Sequence, residues 1–426
     1  MSRLLLTLVG LLIAFPLWAA DRPPNIVFII SDDHGWMDYG FMGHKHIRTP
    51  HIDRLAGLSL TLPRGYVPSS LCCPSLATIL TGLYPHQHKI TGNDPPRPAN
   101  LPAGKFYASE AFTKGRERLN QYLEAVPTLP RLLASKGYLS LQTGKWWQGD
   151  YRRGGFTHGM TKGQRHGDEG LAIGRQTMQP IRDFLDLAGK QDKPFFLWYA
   201  PMMPHTPHNP PERLLQRYRK LTDSLPVARY WAMVEWFDET VGELLQILDD
   251  RKLTDNTLVV YVTDNGWLQD PTGPGFVRSK RSPYDAGLRT PILLRWPGKI
   301  QPRKSDELAS SIDLVPTVLS AVGLKRTPAM QGIDLRDAAA RSARKSVYGA
   351  CFAHDIPNLD EPTAGLEWRW TIREQWKLIV PRSGKAVELY NLQADPQEKT
   401  NLAEREPARV KELLSQLDGW WRPENR

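Results

Sequence analysis

The 426-residue chain has only three cysteines, and two of them, Cys72 and Cys73, are adjacent. That arrangement excludes a disulfide framework, even in an oxidising compartment. No Lys/Arg-rich run and no nucleic-acid module occurs, so the net charge of +10 is scattered along the chain. Scattered basic residues read first as a solvated surface and second as an attraction for anionic substrates; nucleic acid is not an expected partner. Internal repeats and low-complexity tracts are also missing. After residue 20 no segment is long and apolar enough to cross a bilayer.

What is present suffices for a large core: 41% of the residues are hydrophobic and 14 are Trp, which predicts a globular chain of two domains. Residues 1–20 combine Arg3, an apolar run from Leu4 to Trp18, and the small residues Ala19 and Ala20. This is the pattern of a secretory signal peptide, although an uncleaved signal anchor has the same composition. The expected product is exported, periplasmic or secreted, with no stable membrane span after signal cleavage.

Asn25 to Ile30, Thr257 to Val262 and Pro194 to Tyr199 are short apolar runs, the first two rich in β-branched residues. Such runs suit strands buried on both faces of a parallel sheet. Amphipathic patterns over Leu129 to Ser135, Thr177 to Leu187 and Trp231 to Leu248 alternate with them, which predicts an α/β layered fold. Around Gly323 to Pro328 the pattern changes to Ser346 to Phe352, Trp368 to Arg373, Lys377 to Val380 and Glu388 to Tyr390, followed by a helix over Pro407 to Leu417. This predicts a smaller antiparallel sheet with a covering helix, and a division into 1–20, 21–325 and 326–426. The turn-rich segments Asp94 to Gly104 and Pro201 to Pro211 read as loops over a site.

Ser69 to Gly82 reads SSLCCPSLATILTG. Pro74 fits a first helical turn and Gly82 a stop, so Cys72 and Cys73 fall at a helix N-terminus, where unpaired N–H groups hold anions and lower thiol pKa values. An ordinary helix beginning with two buried cysteines accounts for the stretch equally well. Asp32, Asp33, Asp264 and Asn265 follow two of the strands, at the sheet edge where ligands bind in such folds. Three carboxylates and an amide oxygen make a hard ligand set suited to Ca²⁺ or Mg²⁺ and poor for zinc. Seen singly, such Asp pairs serve more often as caps or solvated turn residues.

A series of motifs sharpens this reading: PNIVFIISDD at 24–33, CCPS with LTGLYPHQH at 72–88, TGKWW at 143–147, PFFLWYAPMMPHTPH at 194–208, LVVYVTDNG at 258–266, KRSPYDAGLRTPILLRWPG at 280–298, IDLVPTVLSAVG at 312–323 and ELYNLQADPQEKTNL at 388–402. In this order they resemble the formylglycine-dependent sulfatase family of the alkaline phosphatase superfamily, from Pro24 to Leu402. The resemblance implies a large mixed, mostly parallel sheet sandwiched by helices, with the smaller C-terminal antiparallel sheet and helix beside it. Residues 21–325 would then form the catalytic α/β domain and 326–426 a C-terminal α+β subdomain.

The resemblance also implies roles. Asp32, Asp33, Asp264 and Asn265 would hold one divalent ion, Ca²⁺ in the first place and Mg²⁺ as the alternative. Cys72 would be oxidised to formylglycine by a formylglycine-generating maturation enzyme, and its hydrate would supply the nucleophilic oxygen. Lys145, His205 and Lys280 would bind the sulfate oxygens or assist the departing alcohol, with His205 as general acid. Arg289 and Asp313 would be structural. The implied reaction is hydrolysis of a sulfuric ester on an anionic small molecule or glycan, releasing inorganic sulfate.

Two positions depart from the family pattern. C-x-P-S-R has Leu76 in place of Arg, and G-K-W-H has Trp147 in place of His. Neither replacement supplies the lost hydrogen-bonding group. His86, His88 and His158 are the sequence candidates for a substitute. Two other functions stay open at this level: phosphate or phosphonate ester hydrolysis or transfer by an unmodified Cys72 thiol, and binding of sulfated glycans without turnover.

Overall fold

The computed structural model describes residues 22–273 and 278–423; the signal peptide expected over residues 1–20 lies outside them. An eight-stranded mixed sheet forms the centre. Its four parallel inner strands run in the order Leu139–Gly144, Phe195–Ala200, Asn25–Ser31 and Thr257–Thr263. Every residue of these strands is buried, because helices cover both faces, and this is why three of the runs are nearly continuous apolar stretches; Leu139–Gly144 instead buries Ser140, Gln142 and Thr143. Ile292–Arg295 joins the Thr257–Thr263 edge antiparallel and makes the sheet mixed.

Alternate residues of one strand feed the two layers. Ile26, Phe28 and Ile30 pack into a core with the Cys72–Thr81 and Leu314–Ala321 helices, while Val27 and Ile29 face Gln179–Lys190 and the long Leu225–Asp250 helix. The three strands expected from sequence end within one residue of their observed limits. The Trp231 to Leu248 pattern understates its helix, which begins at Leu225 after Ser224 caps Val227 N–H. The expected loop of 94–104 ends in a short Ala103–Phe106 helix. Glu110–Glu124 is a further helix whose polar surface, with Lys114, Arg118 and Gln121, masks it in the sequence.

At the C-terminal end, Ser346–Phe352, Leu366–Arg373, Trp376–Pro381 and Glu388–Asn391 form a four-stranded antiparallel meander, and Pro407–Trp420 lies across it. The meander is tied to the larger layer by a buried ion cluster. Lys377 Nζ lies 2.9 Å from Asp285 and 2.8 Å from Glu398, and Asp285 begins a short helix five residues after Lys280. Removing one member of such a cluster leaves an unpaired charge in the interior, so the small sheet helps fix the segment that carries Lys280. Arg289 and Asp313 are also structural: Arg289 donates to Pro63 O and stacks on Trp36, and Asp313 accepts from Ser310, Ile333 and Arg344. Among the described residues no helix is long and apolar enough to cross a membrane.

Candidate functional site

Parallel pairing places the site. Ser31 lies beside Thr263, so the residues that follow each strand, Asp32–Asp33 and Asp264–Asn265, emerge side by side. Asp264 N–H donates to Ser31 O at 2.9 Å, and Asp32 N–H donates to Met203 O at 2.9 Å, which draws in the segment bearing His205. Lys145 leaves the end of the neighbouring strand, its N–H bonded to Ala200 O. A single sheet edge therefore collects residues from four strands.

Ligating atoms of Asp32, Asp33, Cys72 and His205 all lie within 4.8 Å of one another. Asn265 Nδ2 donates to Asp33 Oδ1 at 2.7 Å, and Asp33 N–H donates to Asp264 Oδ1 at 3.3 Å. Beside these bonds, Asp32 Oδ1, Asp264 Oδ2 and Asn265 Oδ1 are buried and accept no hydrogen bond. Buried oxygens without donors are costly unless a cation meets them, so the set fits a hard divalent ion. Burial and the adjacent Asp32 carboxylate push Asp264 well above the usual carboxylate range, the repulsion that such an ion would cancel.

Two lysines enclose the cluster. Lys145 Nζ lies 2.6 Å from Asp32, and Lys280 Nζ lies 2.7 Å from Asp33. Burial opposes their charge, but the Asp32 carboxylate holds Lys145, and Asp33 holds Lys280, well above the ordinary lysine range, so both are ammonium ions. Asp33 is held low, against burial, by Lys280, His205 and Lys145. His205 Nδ1 faces Thr206 O at 2.5 Å, which directs Nε2 toward Asp33 at 3.5 Å. Burial lowers the His205 pKa, and the two lysines add to this against Asp32 and Asp33.

Cys72 opens the Cys72–Thr81 helix, as Pro74 and Gly82 predict; Gly82 takes φ 68° and donates to Thr78 O. The positive φ favours glycine, and a Cβ there would make a tight contact with Val315 at 3.0 Å. Cys73 is directed away: Asn93 accepts its N–H, Gln148 donates to its sulfur, and burial raises its thiol to about 11. The two adjacent cysteines are thus not equivalent, and only Cys72 joins the carboxylate cluster.

Leu76, one turn further on, is buried in the apolar core and offers no polar group. Trp147 is also buried, and its ring is surrounded by Arg116, Arg165 and His166. None of the three sequence candidates fills the gap. His86 stacks on Trp421, His88 bonds to Thr78, and His158 bonds to Thr157. The histidine that does reach this region is His166, with its ring 6.0 Å from that of His205. Sequence reading missed it because it lies outside the motifs; the dense RHGDEG run at 165–170 is its only local signal.

Comparison with known proteins gives the family. Residues 24–324 match the family model described as sulfatase, and residues 275–419 match that of the N-sulphoglucosamine sulphohydrolase C-terminal region. Human arylsulfatase A is 31% identical over 358 residues, covering 72% of this chain and 65% of the relative, so the match spans just under two thirds of that protein. An N-acetylgalactosamine-6-O-sulfatase of Bacteroides thetaiotaomicron is 25% identical over 491 residues and covers 93% of each chain. Among solved structures, a protein in complex with its substrate D-glucosamine-2-N,6-O-disulfate superposes with TM-score 0.71 at 20% identity, covering 93% of this chain and 97% of that one. A Pseudoalteromonas sp. sulfatase superposes with TM-score 0.70 at 20% identity, covering 93% and 90%. With the family model matched from the first strand through the Leu314–Ala321 helix, the chain belongs to the sulfatase family.

Proposed function

We propose that the protein is an exported sulfuric ester hydrolase that releases inorganic sulfate from a sulfated carbohydrate. One observation carries the reading: three buried carboxylates and an amide, with oxygens of Asp32, Asp264 and Asn265 lacking hydrogen-bond donors, adjoin Cys72 between two lysine ammonium groups and His205. Sulfated amino sugars in the names of the relatives favour a glycan sulfate ester as substrate.

Asp32, Asp33, Asp264 and Asn265 would hold the metal, Ca²⁺ in this reading, which supplies positive charge to polarise a sulfate oxygen. Formylglycine made from Cys72 by a maturation enzyme would supply a hydroxyl nucleophile in place of the thiol. Lys145 and Lys280 neutralise the ester's anionic oxygens and stabilise charge on them during transfer. His205 serves the leaving group. Its Nδ1–H is engaged with Thr206 O, so Nε2 is the atom that takes up a proton as an anion arrives and donates it to the departing alcohol oxygen.

Sulfate release from a panel of sulfate, phosphate and phosphonate esters tests the reading, with Cys72→Ser, Cys72→Ala and Asp264→Ala beside wild type. Turnover of sulfate esters that is lost in Asp264→Ala supports it; a preference for phosphate or phosphonate esters by an unmodified thiol replaces it. Leu76 favours a second reading, a binder of sulfated glycans, because no guanidinium extends from the turn after Cys72. Tight Ca²⁺-dependent glycan binding without turnover identifies that case.

A further inference from the structure

Arg165 and His166 project from a strained segment pressed against the turn that carries Lys145. His166, Gly167 and Asp168 have φ values of 69°, 110° and 40° in succession. Side-chain-bearing residues rarely keep such conformations unless the surroundings impose them. Here the imposition is visible: Trp146 N–H donates to His166 O at 3.1 Å, and a Cβ on Gly167 would meet Gly144 O at 2.4 Å.

Arg165 is fixed on several sides. Its Nε and Nη2 donate to buried Asp94 at 3.0 and 2.8 Å, and its guanidinium lies 4.8 Å from the Trp147 ring and 4.9 Å from that of Tyr107. The remaining arm, Nη1, donates to His166 Nε2 at 2.8 Å. Arginine has no acceptor, so this bond makes Nε2 the acceptor and places the ring proton on Nδ1. Nδ1–H makes no hydrogen bond to any described residue. The imidazole stands edge-on to Trp147 at 4.5 Å, and burial holds it neutral, reinforced by the nearby basic groups of Lys145, Arg165, His205 and Lys280. A neutral N–H donor at the convergence of four basic groups marks a place for an anion.

We propose that His166 is a substrate-binding residue, donating Nδ1–H to a sulfate oxygen, and that Arg165 is the positioning residue that fixes its tautomer and orientation. This rests on the sulfatase reading and deepens it, because it supplies from a separate loop a polar contact that Leu76 and Trp147 do not make.

The test measures inorganic sulfate affinity of the Ca²⁺-loaded, full-length protein by calorimetry, with Ca²⁺ affinity and melting temperature as controls. His166→Ala and His166→Gln should weaken sulfate binding about tenfold while Ca²⁺ affinity holds, the usual loss for one hydrogen bond to a charged group. Gln retains an acceptor for Arg165 but no donor at the Nδ1 position, so it tests the assignment even if the Ala variant fails to fold. His166→Asn keeps a donor near Nδ1 and tolerates positive φ, and should recover most of the affinity. Arg165→Lys should weaken sulfate binding without changing that for Ca²⁺. Wild-type sulfate affinity in both the Ala and Gln variants, recovery no better in Asn than in Ala, or no sulfate binding by wild type overturns the proposal. Sulfate binding that responds as expected, without hydrolysis of any ester by wild type, removes the hydrolase reading and leaves the anion site standing.

Discussion

Lys145 Nζ lies 2.6 Å from one Asp32 oxygen and 3.5 Å from Asp264 Oδ2, with all three side chains shut off from solvent. One ammonium thus bridges carboxylates that come from two different strands of the sheet. It offsets part of their repulsion, while Asp33 is shared between Lys280 and His205. The cluster keeps its shape through these pairs, and the oxygens without donors are the ones left for an ion.

Metal addition should therefore stabilise the fold. At about 100 times its dissociation constant, Ca²⁺ is expected to add about 2.7 kcal/mol, seen as a rise in melting temperature that a chelator reverses. Asp264→Asn should lose at least half of that gain, and Mg²⁺ should give a smaller one. An equal Ca²⁺ response in wild type and Asp264→Asn would show that the ion binds elsewhere.

His205 should matter most when the departing alcohol needs a proton. His205→Ala is expected to slow hydrolysis of a sugar sulfate by about 10² to 10⁴ and that of an activated aryl sulfate far less. The comparison of the two substrates is the readout; a uniform loss would assign His205 to sulfate binding alone.

Acid should destabilise the protein through buried neutral histidines. His88 is fully buried, accepts Ile90 N–H, bonds to Thr78, and burial drops its pKa from 6.5 to about 3. The unfolded chain therefore binds more protons between these values. Its contribution is complete above pH 6.5 and is lost as pH falls toward 3, at about 1.4 kcal/mol per pH unit. Unfolding free energy measured between pH 6 and 5 should fall less steeply in His88→Gln by about that amount; an unchanged slope would rule out His88 as a contributor.

The layers of the fold were legible because burial on both faces leaves short apolar runs rich in β-branched residues that suit an inner parallel strand, as in Asn25–Ser31 and Thr257–Thr263. The Asp pairs were legible for the same reason, since they end those runs at neighbouring positions. What lay hidden was tertiary. Asn93 and Gln148, which separate Cys73 from Cys72, have no motif, and their effect depends on a loop folding back onto the helix. His166 was hidden too, because its place beside Trp147 comes from glycine packing against Gly144 and from the Arg165–Asp94 pair. Leu76 and Trp147 could be read as departures, but the sequence could not tell that Leu76 is absorbed into the apolar core while Trp147 is buried among Arg116, Arg165 and His166.

Mass spectrometry of the peptide spanning Leu71 to Thr81, from protein purified from its native host, tests the central claim most directly. Formylglycine at Cys72, with Cys73 still a thiol, is the predicted result. An unmodified Cys72 thiol in protein that is metal-loaded and releases no sulfate would contradict it.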